Sequence, residues 1–364
     1  MKGPGLFLAQ YVGDRAPYDS LDGLAEFAAT CGFSAVQLPT TDPRLIDLSL
    51  AASSKTYCDE LRGGLAARGL EISELSTHLQ GQLLATHPAH TALFEHFAPA
   101  ALHGRPEALR QWAHEQLLLA ARASRNLGLR AHATFSGSLL WPYVYPWPAR
   151  PAGLVDAAFE ALAQRWRPVL DAFDDAGTDV CFELHPTEDL HDGASFERFV
   201  DAVDGHARAC ILYDPSHLLL QHIDYVGFIH RYHERIRAFH VKDAEYRMSD
   251  RTGVYGGYLD WVDRAGRFRS VGDGQIDFDQ IFAALIQHDF PGYAVLEWEC
   301  CLKDSVRGAL EGAAFIRARL FDRPARAFDS FSGAATDPAL IGRLLGLTAS
   351  THAQPTGASD AHER

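Results

Sequence analysis

Short apolar runs recur along this chain, each the length of a buried strand and each separated from the next by polar or turn-forming residues. Eight such runs are predicted as strands, at 5–10, 35–38, 71–78, 130–135, 179–185, 209–214, 236–241 and 292–299. Between them apolar residues return at i, i+3, i+4 and i+7, the spacing of one buried helix face. Leu21, Leu24, Ala25 and Ala28 follow an Asp19-Ser20 cap and stop before Gly32. The same period runs through Phe159, Leu162, Ala163 and Trp166, through Phe196, Phe199, Val200 and Val203, and through Phe278, Ile281, Phe282 and Leu285. Strands alternating with helices imply parallel pairing with helical crossovers.

The polar residues within these runs decide between a closed barrel and an open sheet. Gln37, His78, His132, Glu183, Asp214, His240 and Glu297 come from seven different predicted strands, all late in the strand. An open doubly wound sheet concentrates its chemistry at one switch point, whereas a barrel gathers it from around the ring. No glycine-rich dinucleotide fingerprint or phosphate loop follows any strand. The expected class is therefore α/β, a single (β/α)8 TIM barrel over residues 1–325. Long loops follow strand three (79–110) and strand four (136–151). A helical extension is expected at 326–347, and a small, polar, turn-rich tail at 348–364 is expected to be disordered.

Composition narrows the setting. The 364 residues carry a formal net charge of −14 with no Lys/Arg block, which argues against a nucleic-acid partner needing a basic footprint. No stretch reaches the roughly 18–20 apolar residues of a membrane span. Met1-Lys2-Gly3-Pro4 lacks a secretory pattern, so a cytoplasmic protein without a membrane partner is expected. The six cysteines show no CxxC spacing and are expected as free thiols, Cys300 and Cys301 included.

Four C-terminal runs finish on metal-capable side chains: Val180-Cys181-Phe182-Glu183, Ile211-Leu212-Tyr213-Asp214, Arg237-Ala238-Phe239-His240 and Ala294-Val295-Leu296-Glu297. Barrel active sites collect at strand C-termini, so these residues are expected to converge. Glu183, Asp214, His240 and Glu297 then form an O3N set for one divalent cation. Mn2+ is the first choice, and Mg2+, Co2+, Zn2+ or Fe2+ also suit such donors. His185 and Glu299 each lie two residues beyond a predicted ligand, on the same strand face, and are expected to contact substrate or support a ligand. His78, together with His132 and Thr134, is expected to line the opposite wall. Lys242, Arg247 and Arg269 are the candidates for any substrate phosphate, but they form no cluster, which favours a neutral substrate. In the proline- and aromatic-rich loop after strand four, Trp141, Tyr143 and Trp147 are expected to cover the site, Trp141 touching substrate.

The segments Phe182-Glu183-Leu184-His185-Pro186, Tyr213-Asp214-Pro215-Ser216-His217, Phe239-His240-Val241-Lys242-Asp243 and Leu296-Glu297-Trp298-Glu299 resemble those of the xylose-isomerase-like TIM-barrel superfamily. Within it they are similar to the sugar phosphate isomerase/epimerase group, which includes ketose 3-epimerases, inosose isomerases and dehydratases, and lyases of 3-keto-sugars. Arg269-Ser270-Val271-Gly272-Asp273-Gly274-Gln275-Ile276-Asp277 extends the likeness, which spans roughly residues 5–320. The resemblance implies the same four metal ligands, with Glu183 and Glu297 doubling as the acid/base pair and His217 contacting substrate. It implies an isomerase or epimerase acting on a ketose, keto-sugar or inosose. Such an enzyme takes a proton from beside a carbonyl and passes through a metal-stabilised enediolate. A lyase using the same enediolate for β-elimination is the alternative. An abasic-DNA endonuclease, which shares the barrel, is disfavoured by the acidic charge. The expected partner is a small sugar or cyclitol, and the sequence leaves room for a homo-oligomer.

Overall fold

Parallel strands close on themselves in this chain, as the alternating pattern demands. The computed structural model describes residues 1–256, 258–322 and 337–347. Ten strands form among these: β1 (Lys2–Phe7), β2 (Ala35–Pro39), β3 (Glu71–Ser76), β4 (Ala131–Thr134), β5 (Asp179–Glu183), β6 (Ala209–Tyr213), β7 (Ile236–Val241), β8 (Asp243–Tyr246), β9 (Gly266–Arg269) and β10 (Tyr293–Leu296). Eight close into a barrel in the order β1-β10-β7-β6-β5-β4-β3-β2, every neighbouring pair parallel. β8 and β9 pair antiparallel as a separate hairpin. The barrel lies within one compact unit, Met1–Phe321.

Alternation along each strand sorts side chains between barrel interior and helix layer. Ala131, Ala133, Cys181, Cys210, Leu212 and Ala238 form a small cluster of their own inside the barrel. Outward-facing Phe182 meets Trp166 and Phe199 edge-on, and Phe239 meets Phe282. Trp166, Phe173, Phe182, Phe196, Phe199, Phe239 and Phe282 are fully buried there. Burying each such ring contributes about 1.5–3 kcal/mol. The helix Leu21–Cys31 shows how the ends are fixed: Ser20 accepts from the Gly23 N–H, and Gly32, at φ 93°, donates back to the Ala28 and Ala29 carbonyls. Its left-handed conformation needs glycine.

Several boundaries differ from the sequence expectation. The first strand stops at Phe7, and Leu8–Tyr11 is a 3-10 turn that swings Gln10 toward the strand ends. The third stops at Ser76, so His78 opens the helix His78–Leu84 instead of closing a strand. Thr77 donates its N–H to Ala133 O and then accepts from Gly81 N, turning the chain. Gly81 is required there, since a Cβ would sit 2.2 Å from Phe135 O. His132 faces outward: it alternates with Ala131 and Ala133, packs on Phe173 at 4.7 Å, and bonds Thr77 Oγ1 at 2.7 Å. The long connection after β3 is largely helical, ending in Pro106–Leu127, whereas the loop after β4 holds one 3-10 turn, Trp141–Tyr143.

All six cysteines are free thiols, with Cys31, Cys58, Cys181 and Cys210 buried. Among the described residues no helix is long and apolar enough to cross a membrane. The second unit, Asp322–Arg364, contains the helix Pro338–Leu344, capped by Asp337, within the expected extension. The expected disordered tail at 348–364 lies outside the described residues, as does 323–336.

Candidate metal centre and active site

The C-terminal ends of β5, β6, β7 and β10 deliver the four expected donors to one place. Ligand atoms of Glu183, Asp214, His240 and Glu297 all lie within 4.8 Å of one another. Each occupies the interior face two residues after a small or apolar interior residue, Cys181, Leu212, Ala238 and Val295 respectively. Asp214 has a second task, capping the helix Pro215–Leu220 by accepting from Ser216 N at 2.8 Å. That cap fixes one carboxylate oxygen and frees the other for the cluster. None of the four residues is more than 6 % exposed.

Three carboxylates so close, and so dry, repel one another unless cations intervene. Two side chains supply positive charge. Lys242 Nζ lies 3.3 Å from Glu297 Oε2, 3.0 Å from Glu299 Oε2 and 3.9 Å from Asp214 Oδ2, with the Phe268 ring at 4.4 Å. His240 Nδ1 lies 2.8 Å from Glu297 Oε2. Burial opposes ionisation of Glu297, but Lys242 and His240 outweigh it and hold its pKa at about 2. Burial likewise works against protonated His240, yet the charge and hydrogen bond of Glu297 raise it to about 9. Asp214 is pushed up to about 6 by burial, which His217 and Lys242 offset only in part. Burial works against ionised Glu183 too, but the closeness of His217 and His78 holds it well below the usual carboxylate range.

The donors fit a divalent cation on their own chemistry. Asp214 Oδ2 and Glu183 Oε2 are buried without a hydrogen-bond partner. His78 Nε2 lies 2.8 Å from Glu183 Oε2 but off a hydrogen-bonding line, so it does not satisfy that oxygen. Buried carboxylate oxygens left without donors and facing a common point suit a cation. The histidine is also oriented as a ligand: His240 Nε2 meets Gln37 Oε1 at 3.1 Å, and the Gln37 amide donates to Glu74 Oε2 at 3.2 Å. With Nε2 keeping its proton for Gln37, Nδ1 is the nitrogen that faces the cluster, and it would give up the proton it shares with Glu297 to act as a ligand.

The predicted substrate contacts divide. His217 Nε2 reaches Glu183 Oε1 at 3.2 Å and Asp214 Oδ2 at 3.3 Å, and its ring meets His185 at 4.2 Å. His78, held by Ser76 Oγ at 2.6 Å, stands beside Glu183 although it is helical. His185 is partly buried and its Nδ1 has no partner. Lys242 and Glu299 are engaged with each other. Arg269 is turned away into the hairpin, donating to Glu245 Oε2 at 2.7 Å, so it is not poised for substrate as expected. The turn it begins is organised by Asp243, whose carboxylate accepts from the N–H groups of Gly272, Gly274 and Ile276. A Cβ on Gly274 would fall 2.2 Å from Asp243 Oδ1.

Sequence reasoning missed the apolar wall. Phe7 stacks on His240 at 5.5 Å, Phe135 meets His78 at 4.6 Å and His185 at 5.0 Å, and Phe268 meets His217 at 5.4 Å. Phe135 continues the interior series Ala131, Ala133, which is the signal that would have found it. Gln10 was missed as well; its amide donates to Glu297 Oε1 at 3.0 Å.

A cavity of about 1040 Å3 extends from His185 and His217, lined further by Trp141, Tyr145, Trp261 and Phe268. Of the loop aromatics expected to cover the site, Trp141 lines this cavity, edge-on to His191 at 5.6 Å. Trp147 does not line it and is 77 % exposed, and Tyr143 turns to His87. Another cavity of about 810 Å3, lined by Lys2, Glu71, Arg130, Asp179 and Arg237, opens at the strand N-termini and holds none of the four donors.

The sequence profile of the xylose isomerase-like TIM barrel family matches residues 25–319. The chain belongs to that family. An inosose dehydratase of Bacillus velezensis is 28% identical over 148 residues, covering 40% of this chain and 49% of that protein. The chain thus matches about half the length of this curated relative. The crystal structure of the 3-keto-D-glucoside 4-epimerase YcjR from E. coli superposes with a TM-score of 0.58 at 14% identity, covering 86% of this chain and 98% of the other. The IOLI protein, crystallised with a zinc atom, superposes with a TM-score of 0.56 at 14% identity, covering 86% and 96%. At such identities these two structures share the fold.

Proposed function

We propose that this chain is a divalent-metal-dependent enzyme that moves a proton at a carbon beside the carbonyl of a ketose, keto-sugar or inosose. The observation that carries the reading is the buried cluster of Glu183, Asp214, His240 and Glu297, with two carboxylate oxygens left without a hydrogen bond. These four residues would hold the cation, with Mn2+ the first choice. When bound, it supplies Lewis-acid stabilisation of the negative charge that develops on a substrate carbonyl oxygen. The zinc of the IOLI protein supports a divalent ion in a related barrel.

The chain's own groups do the rest. Glu183 and Glu297 are both held ionised at neutral pH and face the same small space, so either can accept a proton from substrate carbon. His78 and His217 flank Glu183 and are placed to pass a proton on or bind a hydroxyl. His185, with its free Nδ1, adds a further hydroxyl contact. Phe7, Phe135 and Phe268 keep water from the reacting carbon, protecting an enediolate from stray protonation. Lys242, Arg247 and Arg269 already face carboxylates, which supports a substrate without phosphate.

Return of the proton to carbon gives an isomer or epimer, the first reading. Loss of a β-substituent from the same intermediate gives a lyase, which the inosose dehydratase relatives and the reach of the 1040 Å3 cavity favour. Incubating Mn2+-loaded protein with keto-sugars and inososes in D2O tests both. Deuterium should enter the carbon beside the carbonyl, and Glu183→Gln should abolish it with the melting temperature within a few degrees if Glu183 is the base, whereas exchange that persists in this variant assigns the base to Glu297. Product mass then separates isomer from eliminated fragment. Absence of exchange with every such substrate would overturn the proposal.

A further inference from the structure

The cavity beside the four-donor cluster is not shaped or lined for a single sugar ring. At about 1040 Å3 it stands at the upper end of what drug-sized ligands occupy. None of the four donors lines it, but it adjoins the cluster through His217, which lines the cavity and touches Glu183 and Asp214. Its chemistry changes with distance from that end. Sugar hydroxyls need a dense set of side-chain donors and acceptors, but beyond the histidines the wall is mostly aromatic and aliphatic, with Thr187, Asp192, Gln221 and Arg264 as its polar members. Trp261 lies against Phe268 with ring centroids 4.7 Å apart, and Tyr145 meets Tyr255 edge-on at 5.9 Å. Three of these polar groups are already engaged: Gln221 donates its amide to the carbonyls of His191 and His217, Asp192 caps the helix Gly193–Ala202, and Arg264 donates to Tyr255 O and lies over the Trp261 ring at 4.8 Å.

The rings come from two separate loops. Trp141 and Tyr145 belong to the loop after β4, and Tyr255 and Trp261 to the connection between β8 and β9. Several are left in water: Tyr145 is 57% exposed, Tyr255 75% and Trp261 47%. Holding large rings exposed at the mouth of a catalytic cavity forgoes the burial that stabilises a fold. A flat apolar ligand recovers it. The first of these loops is also braced in place, because Asp189 accepts from Ser138 Oγ, Leu139 N and Leu140 N.

We infer that this cavity is a second subsite, and that the substrate is a glycoside whose keto-sugar sits at the four-donor end and whose aromatic aglycone stacks between the Trp141/Tyr145 and Trp261/Phe268 walls. The inference rests on the keto-sugar reading of the first site. Its test compares 4-nitrophenyl and methyl 3-keto-glucosides, as both anomers, by isothermal titration into the Mn2+-loaded Glu183→Gln protein, where turnover does not interfere. The aryl compound should bind on the order of 10- to 100-fold tighter, the range expected for taking one ring out of water onto aromatic partners. Adding Trp261→Ala should remove most of that preference and leave the methyl compound within about twofold. Equal affinities, an equal loss for both compounds, or an unchanged preference in the Trp261→Ala protein would overturn the subsite. So would a change of oligomeric state on Trp261→Ala with no effect on aryl binding, which would make the rings a protein contact. Deuterium exchange of the methyl compound by wild-type protein is read separately: its absence counts against the first site, whereas exchange without aryl preference counts against the second alone.

Discussion

Gln37 touches no predicted substrate position, yet its loss should be felt in both stability and metal affinity. Its carbonyl oxygen faces His240 Nε2 at 3.1 Å and its amide donates to Glu74 Oε2 at 3.2 Å, with all three side chains buried. Gln37→Leu keeps comparable bulk and removes both bonds, stranding the imidazole N–H and the Glu74 carboxyl in a dry interior. Each stranded group costs about 1–3 kcal/mol, or about 2–6 kcal/mol together, which for a domain of this size lowers the melting temperature by on the order of 5–15 °C. The freed imidazole no longer has its tautomer fixed, so Mn2+ affinity should fall about 10- to 100-fold. Calorimetry and a chelator-competition titration measure the two effects. The Gln37→Leu/Glu74→Leu protein separates them: with Glu74 gone one stranded group disappears and stability partly returns, while metal affinity stays low. A Gln37→Leu protein that melts within about 2 °C of wild type and binds Mn2+ within about twofold would refute the relay.

Three further outcomes follow from particular side chains. Burial, with the charge of His78, lowers the pKa of His132 to about 3, against about 6.5 in an unfolded chain. Below pH 6.5 the unfolded state therefore takes up a proton that the folded state refuses, so stability is lost as pH falls from 6.5 toward 3. About 2 kcal/mol should be gone by pH 5, and His132→Gln should flatten the denaturation profile between pH 7 and 5 by that amount; parallel profiles would remove His132 from the account. Asp189→Ala should expose the Leu139 and Leu140 amides to hydrogen exchange at least about tenfold faster, and unchanged protection would mean the loop is held elsewhere. Trp141→Ala should lower turnover whereas Trp147→Ala, at an outward-facing position, should not; equal effects in steady-state kinetics would contradict the placement of the loop.

The barrel was legible because its strands are short apolar runs bounded by turn residues, and because Glu183, Asp214, His240 and Glu297 each close a run on the same alternation. What failed was local. His78 reads as the end of a strand because Glu71–Ser76 leads straight into it, but the turn at Thr77 depends on Ala133 O, a contact from a distant strand. His132 reads as a site residue by position in its strand; its outward face follows from parity with Ala131, which sequence order alone supplied and position counting overlooked. Arg269 fits a phosphate by charge, and only the pairing of β8 with β9 reveals Glu245 as its partner. The aromatic subsite was half visible: Trp141 sits in a conspicuous loop, while Trp261 lies in a connection with no periodicity to mark it.

Metal content decides whether the four buried donors hold a cation. After chelation and reloading with Mn2+, elemental analysis of the wild-type protein should give about one ion per chain. Asp214→Ala, which removes a buried carboxylate whose Oδ2 has no hydrogen-bond partner, should give close to none under the same conditions while remaining folded by circular dichroism. Full occupancy in the Asp214→Ala protein, or an empty wild type, would contradict the assignment of the cluster as a metal centre.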